Sequence, residues 1–72
     1  MIKKELDFVI FCIENIAERL RINGANVYDM LTVKSSILDD YILPNYESLH
    51  TQGKEYIVSD IIDCMKSEGS IE

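Results

Sequence analysis

The sequence predicts an all-α protein: one domain over residues 1–72, built as a compact bundle of four to five short helices with the N-terminal helix at its centre. Apolar residues recur at spacings of three and four along most of the chain, which is the period of an amphipathic helix. The residues that interrupt helices stand between these stretches: Gly24, Pro44, Gly53 and Gly69. The chain is 47% hydrophobic, which is too apolar for a disordered polypeptide, so we expect it to bury a core.

The first predicted helix runs from about Lys3 to Ile22. Its apolar positions follow helical spacing: Leu6, Val9, Ile10, Ile13, Ile16, Ala17 and Leu20. The pair Asn23-Gly24 comes next, and such a pair is typical of the left-handed residue that ends a helix. We therefore expect the chain to turn there.

Two further helices are predicted in the middle of the chain. One runs from about Ala25 to Thr32, and the other starts near Ser36, where a serine can cap the first turn, and continues to His50. Pro44 lies inside the second of these stretches. Because proline lacks a backbone N–H, the helix must either kink at this residue or separate into two.

The last predicted helix runs from about Lys54 to Ser67. Its apolar positions form one stripe: Ile57, Val58, Ile61, Ile62 and Met65. Several of these residues are β-branched, so a short strand at Tyr56–Val58 is the alternative. The period and the length of the stretch favour a helix, which we expect to end near Gly69.

The first helix is apolar on nearly all sides along its N-terminal half. One face carries five residues: Leu6, Val9, Ile10, Ile13 and Ala17. Phe8 and Phe11 then project from roughly the opposite side, with Cys12 at the border. Two interpretations are open: the helix is central and buried on several sides, or Phe8 and Phe11 form an interface with a partner or with a second copy.

Charge and composition exclude several classes of function. Thirteen acidic and seven basic residues give a net charge of −6, which argues against nucleic-acid binding and favours a basic partner. The longest apolar run near the N-terminus, Phe8 to Ile13, is too short for a signal peptide or a membrane span. We therefore expect a cytoplasmic protein in which Cys12 and Cys64 are thiols.

No residue pattern in the sequence specifies a chemical reaction. Glu47 and His50 share a helical face and resemble half of a carboxylate-bridged metal site, but this histidine is the chain's only one, so we predict no metal. Cys12 and Cys64 lie at apolar or bordering positions that do not lower a thiol pKa. A phosphate-binding glycine loop is absent. We predict no catalytic residue and no cofactor.

The stretch Tyr46–Ile61 reads YESLHTQGKEYIVSDI and resembles the signature of a small bacterial family of domains of unknown function, Tyr-Glu-x-Leu-His-Thr-x-Gly-x-x-Tyr-Ile-Val-x-Asp-Ile. The family's N-terminal pattern is matched by Glu5, Leu6, Phe8, Phe11, Cys12, Ile13 and Glu14. Genes of this family often lie beside a small protein that resembles an ADP-ribosyltransferase toxin. The resemblance therefore implies an accessory or antitoxin-like role and carries no catalytic residues. One departure is Ser35-Ser36, which stands where the family pattern has a glycine.

Two hypotheses of function follow. The first is a non-enzymatic interaction module that binds a protein, with an ADP-ribosyltransferase-like toxin as the partner that the resemblance implies and a homodimer also open. The candidate partner-binding residues are Phe8, Phe11, Tyr46, Glu47, His50, Tyr56 and Asp60. The alternative is a small enzyme or ligand-binding domain centred on Glu47, His50 and Tyr56, with His50 as acid or base. A third interpretation makes this stretch a structural corner held by hydrogen bonds of His50 and Asp60.

Overall fold

The structure is a computed structural model that describes residues 2–71, and it confirms the all-α prediction. The chain forms four α-helices: α1 (Lys3–Leu20), α2 (Gly24–Thr32), α3 (Tyr46–Leu49) and α4 (Lys54–Ser67). A π-helical segment, Leu38–Ile42, lies between α2 and α3. No strand occurs in the described part of the chain, so the strand alternative is wrong. Helix α1 packs against both α2 and α4, while α2 also packs against the π-helical segment.

The hydrophobic core draws on every one of these elements. Its buried side chains are Phe8, Val9, Cys12, Ile16, Val27, Leu31, Ile37, Leu38, Ile42, Leu49, Ile57, Val58, Ile61, Ile62 and Met65. The five residues of the α4 stripe are all among them, as their spacing predicts. Burial of this apolar surface is the main driving force for folding.

The apolar face of α1 that carries Leu6 and Val9 is buried only in part, and the opposite side that carries Phe8 is also buried. Phe8, Val9 and Cys12 are buried, whereas Leu6 and Ile10 are 47% and 45% exposed. Helical spacing alone fits both faces, so the side that turns inward is the one that removes more apolar surface from water. A buried phenylalanine contributes more of this surface than a leucine, which favours the face that carries Phe8.

The turn between α1 and α2 also differs from the prediction in its residue roles. The left-handed residue that ends α1 is Arg21, with a φ of 58°. Asn23 instead caps α2, because its side-chain oxygen accepts a hydrogen bond from the Asn26 backbone N–H at 2.8 Å. A Cβ on Gly24 would lie only 3.3 Å from Cγ2 of Ile13, so the glycine allows α2 to approach α1 closely.

Pro44 separates two helical elements. The last hydrogen bond of the π-helical segment joins the Leu43 N–H to the Leu38 carbonyl at 3.0 Å, and α3 starts after the turn that contains Pro44. The turn before the π-helical segment is completed by Ser35. Its hydroxyl donates to the Met30 carbonyl at 2.7 Å and accepts from the Ile37 N–H at 3.3 Å.

Candidate functional site

A row of aromatic rings links α1 to α3. The ring centroids of Phe11 and Phe8 are 6.2 Å apart, and those of Phe8 and Tyr46 are 5.4 Å apart in an edge-to-face arrangement. The His50 ring stacks on Tyr46 at 4.5 Å. Phe8 is only 8% exposed and belongs to the core, whereas Phe11 is partly buried against it. Of the two interpretations of these phenylalanines, the structure favours the core for Phe8.

The predicted corner is held by different contacts from those expected. His50 follows the last residue of α3 and is exposed, and its backbone N–H donates to the Tyr46 carbonyl at 3.0 Å. Asp60 is bonded to the Tyr41 hydroxyl, which lies 19 residues earlier in the chain. Among the described residues, the His50 side chain makes no hydrogen bond and stacks on the Tyr46 ring, while the hydrogen bond of Asp60 links α4 to Tyr41 outside this corner.

The residues of the enzyme alternative are exposed and are not joined to one another. Glu47, His50 and Tyr56 each lie on the surface. Among residues 2–71, no hydrogen bond connects any two of their side chains. In the same part of the chain, no three histidine, cysteine or acidic side chains are grouped so that they could hold a metal ion. No described helix has both the length and the apolar character that a membrane span requires.

A groove with a volume of about 380 Å³ lies between the π-helical segment and α4. We call it the acidic groove. It is lined by Ser36, Ile37, Asp40, Tyr41, Asp60, Asp63, Cys64, Ser67 and Glu68. Four of these nine side chains are carboxylates and none is basic. The apolar part of the wall comes from Ile37, the Tyr41 ring and Cys64.

Helical geometry on α4 explains why these residues share one wall. Asp60, Asp63, Cys64 and Ser67 follow at spacings of three, four and seven residues, so they lie along one face of the helix. That face borders the buried stripe of α4 and leaves Asp63 exposed while Asp60 and Cys64 are half-buried. The Tyr41 hydroxyl donates a hydrogen bond to the Asp60 carboxylate and thereby joins the two walls of the groove.

Burial and neighbouring carboxylates raise the pKa values of Tyr41 and Cys64 in the groove. The pKa of Tyr41 is raised, mainly by its hydrogen bond to Asp60 and then by burial. Burial raises the pKa of the Cys64 thiol, and the carboxylates of Asp60, Asp63 and Glu68 add to this effect. A thiol that remains protonated is a poor nucleophile. The same holds for Cys12 in the core, where burial raises the pKa to about 12.

Only one residue of the acidic groove, Asp60, is among the predicted partner-binding residues. The signal for the α4 wall is present in the sequence as the acidic face of an amphipathic helix, but that pattern is equally typical of a solvated surface. The π-helical wall has no sequence signal of comparable strength. This wall joins the groove through the tertiary contact between Tyr41 and Asp60.

Fold and site together define a small all-α protein with an acidic groove on one side of its helical bundle. The model of one family matches residues 7–68, and its description is a protein of unknown function, DUF3791. The chain belongs to this family, and the resemblance to a domain of unknown function is confirmed. No curated protein and no solved structure gives a significant match.

Proposed function

We propose that this chain is a protein-interaction module that binds a basic segment of a partner protein in the acidic groove. The observation that carries the proposal is the composition of the groove wall, where four carboxylates surround an apolar patch without a compensating lysine or arginine. Clefts lined by charges of one sign concentrate their field and attract ligands of the opposite sign. The net charge of −6 extends the same preference to the whole surface.

The groove suits an arginine or lysine side chain for two further reasons. The methylene groups of such a side chain pack on apolar surface while the charged head meets carboxylates at the rim. Asp60 is already oriented by the Tyr41 hydroxyl, so less side-chain freedom is lost when a cation binds. Asp40, Asp63 and Glu68 are exposed and can contact the same ligand from both walls.

The partner that we propose is an ADP-ribosyltransferase-like toxin, which would make the chain an antitoxin-like protein. Support for this choice comes from the family resemblance of the sequence, whereas the carboxylates of the groove support only the basic character of the bound segment. We place the contact on the face of the protein that contains Asp60. Phe8, in contrast, stabilises the core that supports this face.

Calorimetric titration of the chain with an ADP-ribosyltransferase-like toxin tests the proposal. Asp63→Asn removes one charge from the groove and Asp39→Asn removes one from the same surface outside it, since Asp39 is exposed and does not line the groove. We expect Asp63→Asn to weaken binding by up to about fivefold, the scale of an exposed ion pair, and Asp39→Asn to have a smaller effect. Binding should also weaken as salt is added.

Two results would count against the proposal. Equal effects of Asp63→Asn and Asp39→Asn would mean that overall charge, and not the groove, attracts the partner. Absence of binding at low salt would refute this partner and would leave the groove to be tested with a basic peptide.

A further inference from the structure

A row of exposed apolar residues runs along the N-terminal half of α1. Leu6 and Ile10 of α1 and Ile2, the residue just before the helix, are spaced by four residues and are 47%, 45% and 61% exposed. We call these three residues the α1 stripe. Isolated exposed apolar residues are ordinary, but three on one helical face form a continuous patch of the kind that marks an interface.

The fold covers this face only farther along the helix. Ile13 continues the α1 stripe at helical spacing and is partly buried, because Gly24 at the start of α2 lies against it. Nothing in the described part of the chain covers Leu6 and Ile10 to the same extent. The N-terminal half of the face is therefore an unpartnered helix surface.

Charges beside the α1 stripe are arranged with opposite signs at its two ends. Lys3 lies at the start of α1 and Glu14 lies 11 residues later, and both are exposed. At about 100° per residue, the two side chains differ by only about 20° around the helix and flank the same edge of the stripe. Asp7, on the same edge, is already paired with Lys3 at 3.1 Å.

We infer that a second copy of this chain covers the α1 stripe, with the two α1 helices antiparallel about a two-fold axis between Leu6 and Ile10. Such a pairing is self-complementary, as a two-fold interface requires, because Leu6 of each copy meets Ile10 of the other. It also places Lys3 of one copy beside Glu14 of the second. A parallel pairing would leave these two side chains far apart, because Lys3 and Glu14 lie 11 residues apart along the helix.

The dimer is expected to be weak, since the α1 stripe is short and each copy carries a charge of −6. Weak self-association leaves the acidic groove free, because the groove and the stripe share no residue. The inference goes beyond the proposed function and can fail or hold independently of it.

Sedimentation equilibrium over a concentration series tests the pairing. The wild-type chain should form dimers at high micromolar concentration, and the double variant Leu6→Gln/Ile10→Gln should raise the dissociation constant at least about tenfold, which is about 1.4 kcal/mol. Val33→Gln is the matched control, since Val33 is 78% exposed on the surface and lies outside the stripe. Circular dichroism confirms that each variant is folded.

The orientation is tested by exchange of the two charges. Lys3→Glu and Glu14→Lys should each weaken the dimer, and the double variant should restore it, because the swapped charges again meet in an antiparallel pair. A chain that stays monomeric up to about millimolar concentration, or a dimer that tolerates the Leu6→Gln/Ile10→Gln change, would overturn the inference. Failure of the double charge variant to recover, after both single variants weaken the dimer, would overturn the antiparallel arrangement.

Discussion

Truncation of Phe8 to alanine tests which side of α1 faces the core. Phe8 is 8% exposed and contacts the rings of Phe11 and Tyr46, so its removal leaves a cavity among well-packed side chains. Loss of a buried phenylalanine side chain costs about 3–5 kcal/mol. A chain of 72 residues has a total stability of about 4–11 kcal/mol, so Phe8→Ala removes a large fraction of it.

The comparison variant is Ile10→Ala on the same helix. Ile10 is 45% exposed, and the loss of its remaining contacts should cost below about 1 kcal/mol, since alanine also has the higher helix propensity. Both variants are measured by urea unfolding, followed by circular dichroism at low micromolar concentration so that self-association does not contribute. Phe8→Leu serves as a milder variant if Phe8→Ala does not fold.

The predicted result is a loss of stability at least three times larger for Phe8→Ala than for Ile10→Ala. In thermal unfolding, this corresponds to a decrease of about 12 °C or more in Tm for Phe8→Ala. Equal losses for the two variants would refute the assignment of the core face. A folded, fully stable Phe8→Ala variant that fails to bind a partner would instead place Phe8 in an interface.

Three further predictions concern the cap of α1, the core thiol and the groove. Arg21→Gly should stabilise the chain by about 1 kcal/mol in urea unfolding, because Arg21 is in the left-handed region with a φ of 58°, whereas Arg21→Ala should not stabilise it. Ionisation of Cys12 should leave the free energy of unfolding unchanged below about pH 9, where the thiol of the unfolded chain begins to ionise. Above this pH, the free energy of unfolding should fall by about 1.4 kcal/mol per pH unit until the buried thiol itself ionises at about pH 12. Cys12→Ala should flatten this slope in urea titrations above pH 9. Tyr41→Phe should lower the free energy of unfolding by about 1.5–3 kcal/mol, since it removes a hydrogen bond to the Asp60 carboxylate, and the latest-titrating tyrosine should disappear from an ultraviolet pH titration.

Local sequence signals predicted the bounds of a helix well where all of the signals agreed. Helix α4 has the predicted bounds because its apolar spacing, the Gly53 start and the Gly69 end all agree. Pro44 left two outcomes open, because both a kink and a break accommodate its missing N–H. The structure has the break, with the π-helical segment Leu38–Ile42 on its N-terminal side.

The sequence was ambiguous where one residue pattern fits two structural roles. Asn23-Gly24 fits both the end of one helix and the start of the next, and the second role is taken because the asparagine side chain caps α2. On α1, apolar residues on several sides satisfy the same period, so periodicity cannot decide whether Phe8 or Leu6 faces inward. Only packing against the other helices decides this.

The acidic groove could be predicted only in part, because its walls come from separate segments. The α4 wall follows from helical spacing, but its proximity to the π-helical segment depends on tertiary structure. The bond between Tyr41 and Asp60 joins residues 19 positions apart, and neither residue has a sequence feature that specifies the other. His50 and Tyr46 are four residues apart, so helical spacing alone brings their rings close together. No local spacing indicates the hydrogen bond between Asp60 and Tyr41.

Binding of a basic segment in the acidic groove is tested most directly by an NMR titration of the isotope-labelled chain with a tetra-arginine peptide, with tetra-glutamate as the control. We expect tetra-arginine to shift the amide signals of Asp40, Tyr41, Asp63 and Cys64, which lie on the two walls of the acidic groove, and tetra-glutamate to shift none of them. Shifts of equal size at Glu18, an exposed acidic residue outside the groove, would show that the peptide follows charge alone and would contradict a binding site at this groove.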